Sequence, residues 1–88
     1  MSIKRLHVFY SGYVQGVGFR YTARRIASDM GIAGWVRNVP DGKVEITCEG
    51  EEKDIKSFMD TLSREFSADT QASWSKATGE FSGFGIVI

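Results

Sequence analysis

The chain lacks most of what specialised architectures require. It contains one cysteine, Cys48, one proline, Pro40, and one histidine, His7. A lone thiol closes no intramolecular disulfide, and a lone imidazole excludes a histidine-rich metal site. With so little proline the chain is neither linker-rich nor disordered. No charge dominates, because 11 Lys and Arg balance 11 Asp and Glu. A neutral chain has no long-range field with which to gather nucleic acid or an anionic membrane, so any anion site must be local. Long hydrophobic runs are missing too: Leu6 to Tyr10 is broken by His7 and is too short for a signal-peptide core or a membrane span. These absences point to a soluble cytoplasmic protein with no metal and no cofactor.

What remains suffices for one core. The 88 residues are 42% hydrophobic and include six Phe, three Tyr and two Trp. That length is near the lower end for unassisted folding and leaves no room for a second domain, so one domain over residues 1–88 is expected, as a monomer.

Periodicity gives the order of elements. In Leu6 to Val14, Leu6, Val8, Tyr10 and Val14 fall on one side and His7, Phe9, Ser11 and Tyr13 on the other, as in a strand. Phe19, Ala23, Ile26, Ala27 and Met30 then recur at helical spacing, with Gly31 where a C-terminal cap belongs. A short strand, Gly34 to Val39, meets the turn Pro40-Asp41-Gly42 and a second alternating run. There Val44, Ile46 and Cys48 read as buried, and Lys43, Glu45, Thr47 and Glu49 as solvated. Glu51, Glu52 and Asp54 suit a helix N-terminus, followed by the stripe Ile55, Phe58, Met59, Leu62 and Phe66. Weaker strand signals lie at Thr70 to Trp74 and Phe84 to Ile88. The order predicts an α+β, ferredoxin-like split β-α-β sandwich, with two helices on one face of an antiparallel sheet.

The segment Gly12-Tyr13-Val14-Gln15-Gly16-Val17-Gly18-Phe19-Arg20 places three glycines between a strand and a helix. Glycine lets successive N–H groups turn into one concavity, and the helix start adds partial positive charge, which suits a phosphate. Arg20 can add two parallel hydrogen bonds to it. Two better-known phosphate loops do not match: Tyr21 stands where a dinucleotide fingerprint has its third glycine, and Phe19-Arg20 where a Walker loop has Lys then Ser or Thr.

Gly12 to Arg20 resembles the first signature of the acylphosphatase family, and Gly34-Trp35-Val36-Arg37-Asn38-Val39-Pro40-Asp41-Gly42 resembles the second, in the right order and at the usual separation. The resemblance covers roughly His7 to Leu62. It implies a phosphate site built from the backbone of Gln15, Gly16, Val17, Gly18 and Phe19 with Arg20, and it implies that Asn38 orients the attacking water. The implied substrate is a small acyl phosphate, with inorganic phosphate as product and competing ligand. Two departures stand out: Tyr13 sits where members often have a basic residue, and Phe66-Ser67-Ala68-Asp69 replaces a turn commonly rich in Gly and Pro.

So few groups suffice for that reaction. A carboxyl phosphate expels a carboxylate, whose conjugate acid has a pKa of about 4, so no general acid is required at neutral pH. Holding the phosphoryl group, neutralising its charge and aligning a water remain. Covalent routes lack their parts: Asp54, not Arg, stands six residues after Cys48, and there is no Asp-x-Asp pair. Cys48 reads as a small buried hydrophobe, His7 as structural, Arg24, Arg25 and Arg37 as solvated, and Trp35 and Trp74 as packing residues. Two other readings compete. One is a catalytically idle, protein-binding relative. The other is an RNA-binding ferredoxin-like module, because Ser82 to Ile88 echoes an RNA-recognition motif while lacking its basic residue and stacking aromatics.

Overall fold

A computed structural model describes residues 2–88. Its elements are β1 (Ile3–Ser11), α1 (Phe19–Asp29), β2 (Ala33–Asn38), β3 (Val44–Glu51), α2 (Glu52–Phe66), β4 (Asp69–Lys76) and β5 (Phe84–Ile86). The sheet runs β4-β1-β3-β2-β5; β1 pairs antiparallel with β3 and β4, and β2 pairs antiparallel with β3. β5 adds a single parallel pair alongside β2. Each β-α-β unit is split by a strand of the other: β3 lies between β1 and β2, and β1 between β3 and β4. The helices touch each other on one face, α1 over β2 and β5, α2 over β1 and β3.

The alternation in β1 and β3 sends Leu6, Val8, Tyr10, Val44, Ile46 and Cys48 into this interface, each fully buried. Phe19, Ala23 and Ala27 of α1 and Ile55, Phe58 and Leu62 of α2 meet them. A large side chain removed from water in this way contributes about 1.5–3 kcal/mol. Phe19 lies with its ring centroid 5.0 Å from Tyr10 and 4.8 Å from Phe66. The first helical residue is thereby fastened to the end of β1. At Gly34, with φ +151°, an added Cβ would stand 2.1 Å from the Thr47 carbonyl oxygen, so only glycine lets β2 approach β3.

Three expectations need correcting. The first strand starts earlier and ends at Ser11, leaving Val14 buried but in the loop. The second concerns the polar side of β3: Glu45, Thr47 and Glu49 are buried rather than solvated. β3 is the central strand, and its neighbours' side chains lie across it. The Glu45 carboxylate accepts from Arg37 Nε at 2.7 Å and lies 2.6 Å from His7 Nε2. Arg37, expected in solvent, is therefore tied down and also stacks on Trp35. Glu49 accepts from the backbone N–H of Thr78 and Gly79 at 2.8 and 2.9 Å and from Arg5 Nη1 at 3.0 Å. The β4–β5 connection thus crosses this face as a strap pinned by Glu49. Third, Trp74 is not a core residue. β4 is an edge strand exposed along its whole length, and Trp74 is 39% exposed. β5 also lies at an edge, not on the inner strand that the RNA-recognition motif occupies.

Candidate active site

The sheet register brings the two sequence motifs to one end of the molecule. Tyr10 of β1 pairs with Val44 of β3, and Val44 pairs with Asn38 of β2, so these three positions stand abreast on adjacent strands. The loop of residues 12–18 leaves β1 just beyond Tyr10, and the turn of residues 39–43 leaves β2 just beyond Asn38. Gln15 joins them: its Nε2 donates to the carbonyls of Val39 and Lys43, at 2.8 Å each.

The loop leaves its amides free. Gly16 and Gly18 have φ of +75° and +85°, a region that disfavours side chains with a Cβ. Gly18 is the N-cap of α1 and supplies no side-chain cap. Among the described residues, no backbone N–H from Gln15 to Arg20 donates to a protein acceptor. The first turn of α1 contains no acidic residue and carries Arg20 instead, whereas the first turn of α2 holds Glu52 and Asp54. A helix start left without acid, beside a guanidinium with no ion pair among the described residues, concentrates positive potential that an anion relieves.

A cavity of about 230 Å³ lies here, lined by Val14, Gly16, Gly18, Phe19, Arg20 and Tyr21. Four of the expected phosphate-site residues, Gly16, Gly18, Phe19 and Arg20, are thus brought together. Gln15, Val17 and Asn38 do not line it; Val17 is half exposed on the loop. Gln15 spends its side chain on the hairpin, a role that no feature of the single sequence indicated. Asn38 shares the helix-bearing side of β2 with Val36, and its Oδ1 is buried without a hydrogen-bond partner. A buried acceptor left without a donor costs about 1–3 kcal/mol, so a ligand that donates to it gains correspondingly.

The remaining chemistry-bearing groups lie elsewhere. Cys48 is in the core, and burial pushes its thiol up to about 12, so no thiolate is on offer at neutral pH. His7 and Glu45 lie on the opposite face of the sheet. Among the described residues no three His, Cys, Asp or Glu side chains group as a metal site would, and no helix is long and apolar enough to cross a membrane.

Comparison with known proteins agrees with the two motifs. The family model described as acylphosphatase matches residues 6–86. An acylphosphatase of Roseiflexus sp. is 42% identical, the match covering 99% of this chain and 98% of that one. One from Methylococcus capsulatus is 38% identical, covering 97% of each. The crystal structure of acylphosphatase from Bacillus subtilis superposes with a TM-score of 0.89 at 33% identity, over 97% of this chain and 99% of that one. With a family model over nearly the whole chain, relatives of about 40% identity over their full length and a superposing solved structure, the chain belongs to the acylphosphatase family.

Proposed function

We propose that the chain hydrolyses acyl phosphates to a carboxylate and inorganic phosphate by direct attack of a water that Asn38 orients. The phosphoryl oxygens are held by the N–H groups of Gln15, Gly16, Val17, Gly18, Phe19 and Arg20 and by the Arg20 guanidinium. A planar fork offers two parallel bonds to one phosphate, and the amides act as fixed dipoles that need no reorganisation as charge shifts in the transition state. The water donates one hydrogen bond to Asn38 Oδ1 and directs a lone pair at phosphorus. Its proton passes to a phosphoryl oxygen of the substrate, because the cavity lining of Val14, Gly16, Gly18, Phe19, Arg20 and Tyr21 offers no carboxylate or imidazole to take it. The leaving carboxylate departs without a proton. The reaction uses neither metal nor cofactor and proceeds in a monomer, in the cytoplasm.

The observation that carries this reading is the buried, unpartnered Asn38 Oδ1 at the strand end that Gln15 ties to the phosphate loop. Phosphate affinity by calorimetry, measured beside steady-state rates, tests it. Asn38→Ala loses turnover by at least a hundredfold while phosphate affinity stays within a few-fold of the parent; Arg20→Ala loses both. An Asn38→Ala protein that still folds and hydrolyses acyl phosphate at the parental rate removes Asn38 from the mechanism.

A further inference from the structure

A second hollow, larger than the one at the phosphate loop, lies elsewhere on the described surface. It measures about 540 Å³, within the range of small-molecule sites, and lies between α2 and β4, lined by Lys4, Glu52, Lys56, Trp74, Ser75 and Lys76. Lys4 stands near the start of β1 and the phosphate loop follows its far end, seven residues on, so about 23 Å of strand separates the two.

We propose that this hollow is a second anion site, and that its ligand is a nucleoside phosphate. Two independent features carry the inference. The first is charge. Lys4 and Lys76 are direct partners in the antiparallel β1–β4 pair, and like charges directly opposite destabilise a sheet. Lys56 adds a third ammonium from α2; Glu52, the one carboxylate of the lining, pairs with it at 2.9 Å and also feels the charge of Lys4. Among the described residues neither Lys4 nor Lys76 has an acidic partner. In a chain of zero net charge, three ammonium groups against one carboxylate at one spot are relieved by a bound phosphate.

The second feature is Trp74. It pairs across the strands with Leu6, on the helix-bearing side of the sheet, yet α2 packs on β1 and β3 while β4 stays exposed along its length. Its indole therefore forms a wall of the hollow rather than part of the core. An open indole beside two ammonium groups is the combination that stacks an aromatic base and holds its phosphate. Glu52 supplies an acceptor for exocyclic amino groups of the base, which inorganic anions lack. The hollow accommodates one nucleotide; nothing in the balanced charge of the chain extends it into a track for a strand.

The test is a titration of the full chain with ADP, followed by ¹H–¹⁵N correlation spectra that resolve the two sites. The Trp74 indole and the amides of Lys4, Ser75 and Lys76 should shift together along one saturation curve. Adenosine and pyrophosphate, each carrying one half of the ligand, should bind there at least tenfold more weakly. Lys76→Glu replaces the like-charged pair by an ion pair; it should keep or raise thermal stability, leave acyl phosphate turnover unchanged and weaken ADP at least tenfold. Trp74→Ala should reduce ADP to the affinity of pyrophosphate. Shifts confined to residues 15–20, pyrophosphate binding at Lys76 as tightly as ADP, unaltered ADP affinity in Lys76→Glu, or a single-stranded oligonucleotide bound more tightly than ADP would each overturn the proposal.

Discussion

Gln15 holds Val39: one side-chain amide from the phosphate loop donates at 2.8 Å to the carbonyl of the residue that follows Asn38, and at 2.8 Å to Lys43 across the same turn. Both carbonyls also accept turn bonds, from Gly42 and Val39 respectively. Removing Gln15 therefore orphans neither, and its main effect falls on the placement of the turn. Gln15→Ala is expected to lower unfolding free energy by only about 1–2 kcal/mol but turnover by more than tenfold. Gln15→Glu, which brings a carboxylate with no donor against two carbonyls, should be worse on both counts. Urea unfolding and initial rates on the same preparations check this.

Arg20→Lys keeps the charge and loses the fork. A point charge cannot reproduce two parallel bonds to one phosphate, so kcat/KM is expected to fall about a hundredfold and phosphate affinity to weaken with it. Near-parental rates in the lysine variant would mean that charge alone serves.

Glu49 makes the strap sensitive to acid. Burial raises its pKa, but the amides of Thr78 and Gly79, then Arg5 and the Thr78 hydroxyl, outweigh burial and leave it at about 2, below an ordinary value of 4.5. A pKa lowered in the folded state contributes stability above the ordinary value and loses it as pH falls from about 4.5 toward 2. Glu49→Gln should thus cost about 1–3 kcal/mol at pH 7, because its amide group faces donors, and the gap from the parent should narrow below pH 4.5. Urea midpoints measured from pH 7 to pH 2 decide it; a gap independent of pH would contradict the assignment.

Ser67 closes α2 in the left-handed conformation, φ 49° and ψ 45°, while the N–H of Ala68 reaches the Ser63 carbonyl at 3.2 Å. Serine holds that backbone against the steric preference that glycine escapes. Ser67→Gly is expected to stabilise the fold by about 0.5–1 kcal/mol, read as a higher melting temperature, with turnover unchanged.

Cys48 is enclosed, and its thiol is held in the protonated form. Turnover should withstand a thiol-alkylating reagent under native conditions, and equally a chelator. A rate that collapses with chelator and returns with magnesium would contradict the metal-free mechanism.

The elements were legible where one physical signal governed them. Strict alternation marked β1 and β3, the 3.6-residue spacing marked α1 and α2, and Pro40-Asp41-Gly42 marked the hairpin. The expectation weakened beyond Ser67, where β4 lies exposed at an edge and β5 is only three residues long. An edge strand buries little, so the alternation of Thr70, Ala72 and Trp74 with Gln71, Ser73 and Ser75 sets small or weakly apolar residues against polar ones and gives only a faint signal. The same reason explains Trp74, whose size suggested packing but whose strand is exposed along its whole length.

For the site, the sequence by itself determined the ingredients: glycines at the positions that take positive φ, a helix start without acid, Arg20 as its first charge, and Asn38 ahead of a turn. These are local properties, set by the residues and their immediate neighbours. Only the tertiary structure decided that the two motifs share one end of the sheet, because that depends on β3 inserting between β1 and β2. It alone decided that Gln15 links the motifs with its side chain, that Asn38 Oδ1 is buried without a donor, and that Glu45 and Glu49 are buried on a face that alternation marks as wet. Burial and partnership of a polar group depend on what the rest of the chain lays across it, and no local pattern encodes that.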